Sequence, residues 1–176
     1  NIHGGLNSDG DIVIFFRRID VSTSHNSYQT IDHNYMIFDP IIDTVISIDR
    51  MNTPTGEDNL KGSTGTNKIF HVPNKGYFAS FYHNSIINFQ FSDDGIEWNN
   101  FWDMAYDYSS NDSMNLNENC FVYIGNNTIL GLARDQSHGS WPQNGEITNY
   151  FQMVSYDNGN SWESPERTNI GFPNFT

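Results

Sequence analysis

The segment Ser155-Tyr156-Asp157-Asn158-Gly159-Asn160-Ser161-Trp162 decides the fold, because a close copy lies upstream as Phe91-Ser92-Asp93-Asp94-Gly95-Ile96-Glu97-Trp98. Each copy follows an apolar run with the alternation of a β-strand. An aspartate can accept backbone hydrogen bonds in a turn, and glycine adopts backbone angles that cost other residues energy. The aromatic ring can cover the edge of the hairpin. The segments therefore predict two structural hairpin turns, held by residues at matching spacing: Asp93, Gly95, Trp98, Ser155, Asp157, Gly159 and Trp162.

Aligning the two segments exposes an internal repeat of hairpins. Runs of alternating apolar residues are separated by short polar turns, such as Gly125-Asn126-Asn127. A first unit has a degenerate turn, in which Asp39 is followed by Pro40 without the glycine or the tryptophan. The pattern predicts an all-β protein with about three four-stranded units, at residues 1–60, 66–115 and 118–176. We also expect the chain to be part of a longer protein.

The composition excludes several partners. The chain carries 21 acidic and 8 basic residues among 176, a formal net charge of −13. Phosphate contacts need Lys and Arg, so nucleic acid is not an expected partner, and neither is an anionic membrane surface. No apolar run approaches 18 residues, so membrane insertion is not expected. The single cysteine, Cys120, is expected to be a buried free thiol.

The two segments resemble the Asp-box of sialidase-like β-propellers, in which the box closes the hairpin between the last two strands of a blade. The resemblance implies that each unit is a blade, and that the ring is completed by further blades or by neighbouring chains. In character the sequence is similar to phage tail fibres and tailspikes with Asp-box propellers. The Arg-Ile-Pro signature of true sialidases is absent; at Arg17-Arg18-Ile19-Asp20 an aspartate stands where proline would be.

Two long polar loops follow the second strand of the first and third units, at residues 20–33 and 135–146. Loops of this length without their own structure tend to be either functional or disordered. In sialidase-like propellers, arginines near the axis hold acidic sugars, and a carboxylate pair or a Tyr–Glu pair does the chemistry. The arginine fork matches a sugar carboxylate, and glycoside hydrolysis needs an acid and a base or nucleophile. The candidate catalytic residues are Asp20, Asp135 and Glu146; the candidate ligand-binding residues are Arg18, Arg134, His25, His138, Tyr28 and Trp141.

Alternatives stay open for these residues. Arg18 and Arg134 could be structural ion-pair partners of Asp20 and Asp135, and loop histidines are more often solvated than catalytic. No metal motif is present, so no metal and no other cofactor is expected.

The leading function is recognition of a host cell-surface glycan or polysaccharide by a phage tail fibre or tailspike protein, with or without depolymerising activity. The first alternative is a secreted sialidase-type glycoside hydrolase, and the second is a non-catalytic propeller that serves as an interaction platform. The location implied is the virion tail or the extracellular space. By analogy with tail fibres, a homotrimer is expected.

Overall fold

The computed structural model of the chain describes residues 3–20, 29–50, 64–65, 68–83, 86–97, 102–107, 116–135 and 148–172. Every regular element within these ranges is a β-strand, which confirms the predicted all-β class. The strands form three antiparallel sheets that follow one another along the chain. No membrane-spanning helix is found in the part of the chain that the structure describes.

The first sheet is a meander in which each strand pairs with the next. Its strands are β1 (His3–Leu6), β2 (Ile12–Asp20), β3 (Gln29–Asp39) and β4 (Thr44–Arg50). The predicted loop at 20–33 is shorter than expected, because Asp32 and His33 belong to β3 and pair with Arg18 and Arg17 of β2.

The second sheet repeats this plan with a broken first strand. Its strands are β5 (Thr64–Gly65), β6 (Phe70–Val72), β7 (Gly76–His83), β8 (Ile86–Ser92) and β9 (Trp102–Asp107). Both β5 and β6 pair with β7, at opposite ends of that strand, so they share one edge of the sheet.

The third sheet is again a four-stranded meander. Its strands are β10 (Leu116–Gly125), β11 (Thr128–Asp135), β12 (Thr148–Ser155) and β13 (Glu166–Phe172). Along β11 buried and half-buried residues alternate, as the two faces of a pleated strand require. The first sheet lies within the predicted unit 1–60, whereas β5 precedes the predicted unit 66–115 and β10 begins at Leu116, before the predicted unit 118–176. The assignment of the three units as blades stays a prediction.

Two apolar clusters pack the sheets face to face. Between the first and second sheets lie the buried residues Val13, Phe15, Ile37, Ile69 and Ala79. Between the second and third sheets the cluster is larger and aromatic, and Phe89 meets Phe121 edge to face at 4.9 Å. A buried hydrogen bond of 2.8 Å from Ser80 Oγ to Asn119 Oδ1 also joins these two sheets. The second sheet is therefore covered on both faces.

Cys120 corrects one expectation from the sequence. It is exposed rather than buried, because it lies opposite Leu132 on the face of the third sheet that points away from the second. Its neighbours Asn119 and Phe121 point the other way and are buried. The alternation of the strand was predictable, but which face is covered depends on the neighbouring sheet.

Candidate functional site

The turn between β12 and β13 is held by the side chains of Ser155 and Asp157. Ser155 Oγ donates to Asp157 Oδ1 at 2.9 Å and accepts the backbone N–H of Gly159 at 2.8 Å. Asp157 Oδ1 also accepts the backbone N–H of Ser161 at 2.8 Å. Gly159 has a positive φ of 87°, which favours glycine at this position. These contacts give both residues the structural role that the sequence predicts.

The turn after β8 repeats this arrangement, with Asp94 in the place of Asp157. Ser92 Oγ donates to Asp94 Oδ1 at 3.0 Å, and that oxygen accepts the backbone N–H groups of Ile96 and Glu97 at 2.8 and 2.9 Å. The predicted Asp93 is exposed, and Asp94 holds the turn in its stead. The sequence alignment matched Gly95 with Gly159 and therefore assigned the role of Asp157 to Asp93. The turn after β8 has no residue between its aspartate and Gly95, whereas one residue separates Asp157 from Gly159.

The turn between β3 and β4 uses a simpler version of the same device. Asp39 Oδ1 accepts the backbone N–H of Ile41 at 2.7 Å and that of Ile42 at 3.2 Å. Asp39 and Asp94 thus both bond to the residues two and three positions later. In all three sheets an aspartate carboxylate supports the turn that follows the last strand but one.

Hydrogen bonds to the carboxylates lower the pKa of two of these aspartates. The side-chain hydroxyl and the backbone N–H of Ser161 are the main causes of the lowered pKa of Asp157. For Asp94, burial alone would raise the pKa. The hydrogen bonds from Ile96, Glu97 and Ser92 outweigh burial and bring the pKa below its ordinary value. Both side chains are therefore held as carboxylates that stabilise the folded turn.

Contacts between sheets place these turns at one end of the stack. The β1–β2 turn of the first sheet reaches the Asp94 turn, where Ser8 donates its N–H to the Asp94 carbonyl oxygen at 2.9 Å. The β6–β7 turn of the second sheet reaches the Asp157 turn through a side-chain hydrogen bond of 2.5 Å from Lys75 Nζ to Asn160 Oδ1. In an antiparallel meander, the connection between second and third strands leaves from the opposite end. The segments 21–28 and 136–147 therefore attach at one common end of the stack, away from the turns.

Several predicted site residues lie outside the described residues. They are the aromatic box residue Trp98 and the loop residues His25, Tyr28, His138, Trp141 and Glu146. Asp20 is the last residue of β2, at the end of the stack where segment 21–28 begins. Arg18 is exposed on the same strand. The assignment of these residues to a site stays a prediction.

A charged cluster lies at this end of the third sheet. Arg134 Nη1 and Glu118 Oε2 are 3.1 Å apart, with side chains 24% and 49% exposed. Tyr150 of β12 lies directly opposite Arg134 in the strand register. Burial raises the pKa of the Tyr150 phenol, while the charge of Arg134 lowers it and that of Glu118 raises it. We call Glu118, Arg134 and Tyr150 the Arg134 cluster.

Asp135 points to the opposite face from Arg134 and has a different partner. Its carboxylate is 2% exposed and lies 3.7 Å from Arg167 Nη2 of β13. The Arg167 guanidinium is also 5.4 Å above the centre of the Phe151 ring. Arg134 is therefore not the ion-pair partner of Asp135, which the sequence left open, and the two residues do not act on one surface.

The Arg134 cluster combines a guanidinium, a carboxylate and a phenol. A guanidinium presents five N–H donors in a planar fork whose geometry matches a carboxylate. The phenol can donate and accept hydrogen bonds, and a carboxylate such as that of Glu118 is a hydrogen-bond acceptor for hydroxyl groups. This combination suits a sugar bearing hydroxyl groups and a carboxylate. No group of three or more potential metal ligands is found among the described residues.

Sequence reasoning missed Glu118 and Tyr150. Glu118 was overlooked because it lies at the edge of the predicted unit 118–176, whereas in the structure β10 begins at Leu116 and includes Glu118. Tyr150 was predicted within a strand, but its position opposite Arg134 needs the register across segment 136–147. The pairing could have been indicated by counting residues back along β12 from the Ser155 turn. Ile129 pairs with Ser155, so Arg134, five residues after Ile129, pairs with Tyr150, five residues before Ser155.

Comparisons with known proteins agree with this architecture. No protein-family model matches the chain, and no curated protein matches it. A solved structure of NanB with Optactamide is similar, with a TM-score of 0.56 and 11% identity over 93% of this chain and 26% of that chain. A mutant of NanB sialidase from Streptococcus pneumoniae gives the same values. The fold is sialidase-like. The chain spans about a quarter of the length of these sialidase chains.

Proposed function

We propose that this chain recognises an acidic glycan through the Arg134 cluster at the loop end of its sialidase-like fold. The observation that carries this proposal is the partly exposed Arg134, held by Glu118 and lying opposite the Tyr150 phenol. A guanidinium that is already oriented loses less conformational freedom on binding a carboxylate. The long segment 136–147, which follows directly after this strand, adds His138 and Trp141 as candidate contacts.

In the finer form of this proposal, the three sheets are propeller blades and their Ser–Asp turns are Asp-boxes. The matching hydrogen bonds of Asp94 and Asp157 support this, together with the likeness to NanB. The protein then serves as the host-binding part of a phage tail fibre or tailspike on the virion. The strongly acidic composition and the all-β architecture fit an extracellular virion protein.

A sialidase-type glycoside hydrolase is the second candidate, favoured by the NanB likeness. Binding and hydrolysis are separated by two assays on the same preparation. The first is binding to a panel of neutral and acidic glycans, and the second is release of the leaving group from a chromogenic sialoside. We expect selective binding to acidic glycans. Turnover of the sialoside would favour the hydrolase, and binding to no acidic glycan would overturn both candidates.

A further inference from the structure

Asn158 and Gly159 form an Asn–Gly pair within the Asp157 turn, and this pair carries chemistry that glycan recognition does not use. In such a pair the backbone nitrogen of glycine can attack the side-chain carbonyl carbon of asparagine, because glycine has no Cβ to hinder the approach. The N–Cγ bond forms, the Cγ–Nδ2 bond breaks, and ammonia leaves with the proton of the backbone nitrogen. Water then opens the cyclic imide at either carbonyl and leaves aspartate or isoaspartate. The reaction therefore needs no reagent other than water.

The folded turn holds the attacking nitrogen of Gly159. Its N–H donates to Ser155 Oγ at 2.8 Å, and both residues are buried. Attack requires the nitrogen to lose its proton, and a buried, hydrogen-bonded N–H exchanges its proton only when the local structure opens. The Asp94 turn has the same contact, from the Gly95 N–H to Ser92 Oγ at 2.8 Å. The serine of the turn thus keeps the nucleophile of the Asn–Gly pair unreactive while the turn is closed.

The folded turn also holds the side chain that would be attacked. Asn158 Nδ2 donates to Asn127 Oδ1 at 3.2 Å, and the backbone N–H of Asn158 donates to the Asn127 carbonyl oxygen at 2.8 Å. The side-chain oxygen of Asn158 is buried and accepts no hydrogen bond from any residue that the structure describes. Attack at Cγ would place negative charge on this oxygen, and a buried charge without a donor is costly. Both reacting groups are therefore disabled in the closed turn.

We propose that Asn158 is a deamidation site that the closed turn protects and that reacts when the contacts with Ser155 and Asn127 are lost. A turn can open locally without unfolding of the whole chain. The product lacks the amide that donates to Asn127 Oδ1, so a carboxylate faces that oxygen instead. Isoaspartate also adds a carbon to the main chain between Asp157 and Gly159, which moves the Gly159 N–H away from Ser155. Deamidation therefore makes an opening of the turn permanent.

The test is peptide mapping by mass spectrometry after the full chain has been incubated in mildly alkaline buffer, either folded or in urea. Asn144 precedes glycine in the other Asn–Gly pair of the sequence, and it serves as the internal reference in urea. In urea we expect Asn144 and Asn158 to convert at similar rates. In the folded chain we expect Asn158 to convert at least about tenfold more slowly than in urea, because only the open fraction of the turn reacts.

Variants of the turn identify the contacts that protect Asn158. Ser155→Ala removes the acceptor of the Gly159 N–H, and Asn127→Ala removes the partner of the Asn158 side chain. Each should raise the rate at Asn158 in the folded chain by about threefold or more.

Asp39→Ala is the matched control, because it disrupts the aspartate turn of the first sheet and should leave the rate at Asn158 unchanged. Circular dichroism checks that each variant is folded, and Asn127→Ala alone decides if Ser155→Ala is not. Conversion in the folded wild type as fast as in urea would overturn the proposal, as would an Asn158 that stays intact in urea while Asn144 converts. Turn variants that react as slowly as the wild type, or an Asp39→Ala chain that reacts as fast as they do, would also overturn it.

Discussion

The backbone N–H of Ser8 donates to the carbonyl oxygen of Asp94 at 2.9 Å, and this bond ties the first sheet to the aspartate turn of the second. The carboxylate of Asp94 meanwhile holds that turn through the N–H groups of Ile96 and Glu97. One residue therefore supports both a hairpin and a junction between sheets. At the next junction two residues share these roles: Asp157 holds the turn, and the Asn160 side chain accepts a hydrogen bond from Lys75 of the second sheet.

Asp94→Ala should lower the free energy of unfolding by about 1–3 kcal/mol, because it leaves turn N–H groups without their acceptor. The adjacent Asp93→Ala is the matched control, since Asp93 is exposed. It should change stability by no more than about 0.5 kcal/mol. Urea unfolding of both variants measures the difference. Equal effects at the two positions would contradict the assignment of Asp94 as the residue that holds the turn.

Acid should destabilise the fold through the same carboxylates. The pKa values of Asp94 and Asp157 are below the ordinary 3.8 in the folded state. Their contribution to stability is therefore complete above that value and is lost as pH falls through the folded pKa. Asp157→Asn should be less stable than the wild type near neutral pH and should lose less stability on acidification. A difference in unfolding free energy between the wild type and Asp157→Asn that stays constant at every pH would argue against this role.

Trp162 should be a major source of stability for the third sheet. Its ring centre is 5.3 Å from those of Phe89 and Phe121, so it packs across the junction of two sheets. Trp162→Ala should cost about 3 kcal/mol or more, from lost apolar contact and the cavity left behind. Tyr156→Ala removes a neighbouring aromatic side chain that is mostly exposed, and serves as the control. Thermal melts of the two variants should differ clearly; similar melting temperatures would refute the packing role.

The hairpins were predictable from the sequence because the residues whose side chains hold each turn lie within the turn itself. Ser155, Asp157 and Gly159 are close enough in sequence to specify a hairpin without help from the rest of the fold. The prediction failed where a neighbour decides the outcome. Cys120 is exposed because none of the described sheets covers its face, and Arg134 pairs with Glu118 across a strand pair rather than with the adjacent Asp135.

The candidate site was predicted only in part for a related reason. A strand end followed by a long polar loop indicated Arg134 as a ligand-binding residue. Glu118 is 16 residues away in sequence and reaches Arg134 only through the β10–β11 register. Side chains on separate strands are brought together by pairing, which local sequence does not encode. The assignment of residues in segments 21–28 and 136–147 to the site remains a prediction from the sequence.

The most direct test of glycan recognition is a titration of Arg134→Lys with the acidic glycan that the wild type binds best. Lysine keeps the charge but loses the bidentate geometry, so we expect binding to weaken about tenfold or more with little change in melting temperature. Arg50→Lys, on the edge strand of the first sheet, is the matched control and should bind normally. Normal binding by Arg134→Lys, or a loss of stability as large as its loss of affinity, would contradict the account and leave Arg134 as a structural partner of Glu118.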